Sequence, residues 1–227
     1  MGEKNKSGMI AIAAIVALVL GGVGGYTVGN NMDDDKDQVS MSVSETNPKT
    51  DTKAADLRVT LNNALSEHIE LAAPTLRGAF DGSKDFEGAQ KALDQNTVAI
   101  ASAVDSVYPG TKDDFLKLWR DHIGFFADYT LAAKAGDQAG MQKAKDDLNG
   151  YSDKASTFFS EANPNLPKAA LQEGLKTHLN QVIGIVDAYG AGDYEKSYAM
   201  QREADMHMQM FGDTLSGAIV KQSPDKF

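Results

Sequence analysis

The sequence predicts an all-α fold: an antiparallel helical bundle of three αα-hairpins, about six helices, preceded by one transmembrane helix. Three observations lead there. Beyond the N-terminal segment, apolar residues recur at helical spacing, and no stretch sustains the two-residue alternation of a strand. The composition is 42% hydrophobic but only 7% aromatic, a balance that suits helix packing better than a sheet sandwich. The chain also repeats itself. Three segments each open on a leucine three or four residues before a histidine, run through an apolar helical stretch, break at a turn bearing Gly and Asp, and resume as a second amphipathic stretch. Their opening histidines, His68, His122 and His178, lie 54 and 56 residues apart, room for one αα-hairpin each.

The first element is the N-terminal apolar segment. Met9 to Gly29 is a run of 21 uncharged residues, enough to cross a bilayer as a helix. Lys4 and Lys6 precede it, and Asp33, Asp34, Asp35 and Asp37 follow it. That asymmetry predicts residues 1–8 in the cytoplasm, a signal anchor over 9–29 and an extracellular remainder. A cleaved signal peptide is the rival, since Ile10 to Leu20 also has the length of an h-region. The absence of an Ala-x-Ala-like site favours the uncleaved anchor. Gly21 and Gly25 form a GxxxG pair that could let two anchors pack, although glycine is common in membrane helices. Residues 30–53 are acidic and polar, with too little apolar surface to fold alone, and read as a disordered stalk.

A helical-bundle domain over 54–227 follows. Its hairpin turns fall at "FDGSKD", "AGDQAG" and "AGDY", where Asp85, Asp137 and Asp193 are placed to cap the return helices. The prolines of "YPGT" and "NPNLP" separate one hairpin from the next.

Composition narrows the function. A net charge of −10 without basic clusters argues against nucleic acid and against attachment of the folded part to anionic lipid. With no cysteine in the chain, disulfides, thiolate metal sites and cysteine nucleophiles are excluded. No Glu-x-x-His pairs suggest a ferritin-like di-iron centre, no His-Glu-x-x-His a zinc protease, and no Gly-rich loop or nucleophile elbow a phosphate site or serine hydrolase. The sequence points to no catalytic residue and, in function, to a non-enzymatic protein.

The chain has four histidines, and each lies on the stripe of its helix expected to turn inward. His68 shares its stripe with Leu61, Leu65 and Leu76, and His122 with Phe115, Trp119, Phe126 and Tyr129. His178 shares its own with Leu171, Leu175, Val182 and Ile185, and His207 with Met200, Ala204, Met210 and Phe211. The first three stand about 14 residues before their turns and His207 about 15 after the third, roughly 20 Å along each helix. Aligned hairpins would bring all four imidazoles to one cross-section, with Asn96 and Tyr151 at the same level on the first two return helices. Such a layer in a bundle core can hold a metal. The expected ligands are His68, His122, His178 and His207, with Met210 as a thioether that would favour copper over zinc. Met206 and Met208 read as packing. Two opposed imidazoles could instead ligate haem, although no attachment motif is present. The alternative is a surface interaction module whose histidines are satisfied in the core by Asn96 and Tyr151. A protein partner cannot be read from the residues.

The stretches "LSEHIELA", "LWRDHIGFFADYT", "GLKTHLNQVIGIVDAYGAGDYEKSY", "HMQM" and "SPDKF" resemble an uncharacterised family of bacterial exported all-helical proteins. Some members of that family carry a copper amine oxidase-like label. The resemblance covers 54–227, including His68, His122, His178 and His207. It implies an exported bacterial protein. It implies no activity, because an amine oxidase of that kind is a large β-rich enzyme with a tyrosine-derived cofactor.

Overall fold

The structure, a computed structural model, describes residues 50–227. The expected cytoplasmic segment 1–8, the anchor 9–29 and nearly all of the stalk 30–53 lie outside the described residues. Among the described residues no helix is long and apolar enough to cross a membrane.

Six helices follow in order: α1 (Lys53–Asp81), α2 (Phe86–Val107), α3 (Lys112–Ala135), α4 (Gln138–Ala162), α5 (Lys168–Gly190) and α6 (Tyr194–Gln222). A short 3₁₀ turn, Pro224–Lys226, ends the chain. The hairpins are thus α1–α2, α3–α4 and α5–α6. Each helix packs on its chain neighbours, and α6 closes the ring against α1. The helices that open the hairpins, α1, α3 and α5, also touch one another pairwise. They form an inner triangle, and the return helices fill the outside.

The turns show how local chemistry builds the hairpins. Each contains a glycine at positive φ, namely Gly82 (71°), Gly136 (69°) and Gly192 (76°), the left-handed conformation that closes a helix at little cost only for glycine. Asp137 and Asp193 then cap the return helices, accepting from the backbone N–H of Gly140 at 3.0 Å and Lys196 at 3.1 Å. Asp85 departs from the expectation: it precedes α2 but makes no side-chain cap bond. The first turn places it three residues after its glycine, where Asp137 and Asp193 directly follow theirs. Between hairpins, Asp105 Oδ1 accepts from the N–H groups of Gly110, Thr111 and Lys112 at 2.8–3.1 Å, tying down the start of α3.

The α1–α6 pair is the most extensive contact, and Gly212 permits it. A Cβ there would lie 2.3 Å from Asn62 Oδ1 and 3.1 Å from the Asn62 backbone nitrogen. A polar seam runs alongside. Arg58 and Asn62 both donate to Asp213, Ser66 donates to Asp205, and Arg77 reaches Ser197 at 3.2 Å. Inside, apolar side chains from all six helices form one continuous core. Its middle layer is polar.

Candidate metal centre: a three-histidine layer

His68, His122 and His178 come one from each inner helix, and all three are buried at 1–3% exposure. Three hairpins of nearly equal period with their turns aligned bring equivalent positions to one level, as the repeat predicts. The ring centroid of His68 stands 5.5 Å from that of His122 and 6.2 Å from that of His178. One ring nitrogen of each residue lies within 4.8 Å of those of the other two. A point equidistant from three such nitrogens in an equilateral triangle is at most about 2.8 Å from each. A metal–imidazole bond of about 2.0–2.1 Å would need each ring to move inward by no more than about 0.7 Å.

Aromatic rings frame the layer. Trp119 meets His68 and His122 edge-on at 5.1 and 4.9 Å. Tyr151 of α4 stacks on His122 at 4.6 Å and 19°, and Phe126 stands edge-on to His122 and His178 at 6.0 and 6.4 Å. Trp119 and Phe126 are site residues that the sequence placed only in the core; their shared stripe with His122 was the available signal. Asn96 also reaches this level, but its amide donates to the Ala64 carbonyl at 2.9 Å and to Glu67 at 2.8 Å. It does not satisfy a histidine.

Polar bookkeeping sets the layer apart. Among the described residues, Nδ1 of His68, His122 and His178, Nε1 of Trp119 and Oδ1 of Asn96 are all buried with no hydrogen-bond partner. Each such atom costs roughly 1–3 kcal/mol if left alone, and native cores hold few of them. Among the described residues this layer holds five of the ten such atoms, the others belonging singly to Asn62, Arg77, Ser83, Gln181 and Gln201, and a ligand seated among the rings would satisfy the cluster. The imidazoles are also neutral. Burial pushes His68 down to about 4 and His178 down to about 3, the latter helped by His68 and His207. Burial, then His68 and His178, hold His122 well below the ordinary 6.5, with the Trp119 backbone acting weakly the other way. Neutral imidazole is the metal-binding form.

The structure leaves two expected ligands outside this set. His207 of α6 is half-buried, and its Nε2 lies 2.8 Å from the Gly174 carbonyl, one turn before His178 on α5. It is near the layer in height but directed to the α5 backbone. Met210 is 59% exposed and cannot reach the cluster. The reason is helical phase: the inward stripe of α6 runs Ala204, Met208, Phe211, Leu215, so His207 falls on its edge and Met210 on the outer face. Met208, expected as flanking filler, is the buried methionine of the three.

On the turn side of the histidines lies a cavity of about 50 Å³, which all three imidazoles line. An apolar cavity known to admit benzene measures about 150 Å³, so a haem macrocycle, far larger than benzene, has no slot beside these rings. Comparison with protein-family models, curated proteins and solved structures finds no match to this chain.

Proposed function

We propose that the bundle binds a single transition-metal ion, copper as Cu(I) in preference to zinc, through His68, His122 and His178. The observation that carries this reading is the convergence of three neutral, buried imidazoles, one ring nitrogen of each within 4.8 Å of those of the other two. Nitrogen ligands of this kind suit copper and zinc. Charge favours the monovalent ion. Among the described residues, no carboxylate belongs to the cluster, so a dication would bring two uncompensated charges into an apolar core, at a high desolvation cost. Cu(I) brings one and accepts three ligands in a plane, whereas zinc would need to carry an anion with it. The role is binding or transfer rather than catalysis. The apolar run Met9 to Gly29 and the acids after it support an anchored protein presenting this bundle outside the cell.

A second reading has one specific observation in its favour. The centre of the histidine triangle is no more than about 2.8 Å from each nitrogen, within hydrogen-bond reach. A trapped water could satisfy the layer, and the protein would then be a structural or interaction module. Titration of the full chain with Cu(I) and Zn²⁺ separates the two. The metal reading expects one ion per chain, with affinity reduced at least a hundredfold by His68→Gln or His178→Gln and little changed by His207→Gln. Binding that is absent, or indifferent to the inner histidines, refutes it.

A further inference from the structure

The cavity beside the histidines has a composition that specifies its occupant. Its walls are Ala72 and Leu76 of α1, Leu93 of α2, Phe126 of α3 and Val182 of α5, and the three imidazoles form one end. Two other polar side chains border it. The Thr75 hydroxyl already donates to the Leu71 carbonyl at 2.7 Å, and Gln90 is exposed, marking the outer end between α1 and α2. No cationic side chain lines it, so an anion would be buried without a partner. A water needs two to four polar partners, which the apolar end does not offer. The volume of about 50 Å³ is about a third of that of an apolar cavity known to admit benzene. It suits a molecule of two heavy atoms.

We infer that this cavity is a pocket for a neutral ligand of diatomic size, of the class of dioxygen, carbon monoxide and nitric oxide, opening onto the side of the ion that the three histidines leave free. All three imidazoles face the cavity, so a planar three-nitrogen ion would present its unfilled position there. What the ligand meets rests on the metal reading; whether the pocket admits it does not. The layer is therefore a gas-accessible metal site rather than a sealed one.

Two measurements on the full chain keep these apart. Xenon, an apolar probe of suitable size, should bind the metal-free protein and give a saturable ¹²⁹Xe shift. Ala72→Leu or Ala79→Leu, at two alanines of α1 that line the cavity, fill it, leave the histidines in place and should weaken that binding at least fivefold. In the Cu(I)-loaded chain, carbon monoxide should give a single carbonyl stretching band that either variant removes while copper stoichiometry stays at one. Absence of xenon binding in the unmodified chain, or xenon binding undiminished in both folded variants, overturns the pocket. Xenon binding with no copper uptake leaves the pocket standing and rejects the metal reading instead. A copper-bound carbonyl band that survives both fillings places the open position elsewhere and also overturns the inference.

Discussion

The three inner histidines are held neutral by burial, and that fixes how the molecule responds to acid. In the unfolded chain an imidazole takes up its proton near 6.5. In the fold, His68 refuses it until about 4 and His178 until about 3. Between those values the unfolded state holds more protons, so stability falls as pH falls, by about 1.4 kcal/mol per unit for each histidine. Denaturant titrations of the metal-free chain should show stability constant above pH 7 and declining from pH 6.5 toward 4; a flat profile over that window would mean the imidazoles are protonated or exposed in the native state. Bound metal should be retained at pH 5, where an exposed histidine site would be largely protonated. His178→Leu sharpens the point, since it replaces a ring with an orphaned Nδ1 by an apolar side chain of similar volume. It should leave the metal-free melting temperature unchanged or higher and abolish the rise on adding metal, which at a thousandfold excess over Kd amounts to about 4 kcal/mol. Loss of several kcal/mol in the metal-free variant would favour the trapped-water reading.

At the scale of the element, the repeat carried most of the information. Nearly equal spacing of His68, His122 and His178 across three hairpins was enough to place them at one level, because a common distance of about 14 residues to each turn fixes height. The glycine and aspartate of each turn were equally legible, being local. The fault at Asp85 was also local: two additional residues in the first turn moved it off the cap. Replacing Asp137 or Asp193 with Ala should therefore cost about 1 kcal/mol in stability, and Asp85→Ala clearly less, as thermal melts would show. The phase of α6 was harder to read. Its stripe alternates small and large residues among methionines, so a one-residue shift still looked amphipathic, and Met210 was taken for the inward side chain where Met208 is. The observed phase turns Gly212 toward Asn62, and a tertiary contact of that kind leaves no mark in local pattern. Gly212→Ala should push α1 from α6 and cost about 1–3 kcal/mol, although alanine is the better helix former; a stabilised variant would show that the two helices are not so closely packed.

For the whole molecule, the triangle of α1, α3 and α5 is the feature that makes a site out of a repeat. Each hairpin contributes one imidazole to the axis, and the return helices exclude water around them. The sequence pointed to the fold class and to the layer, but not to the cavity on its turn side or the aromatic frame of Trp119 and Phe126. Those depend on how much space three helices leave between them, which spacing along a chain does not encode. The central claim is that this axis holds an ion. X-ray absorption spectroscopy of the full chain loaded with one equivalent of Cu(I) tests it most directly. The account predicts three nitrogen scatterers at about 2.0 Å with the outer-shell signature of imidazole, and loss of one of them in His122→Gln. A first shell of oxygen or sulfur, or a spectrum unchanged by that substitution, would contradict it.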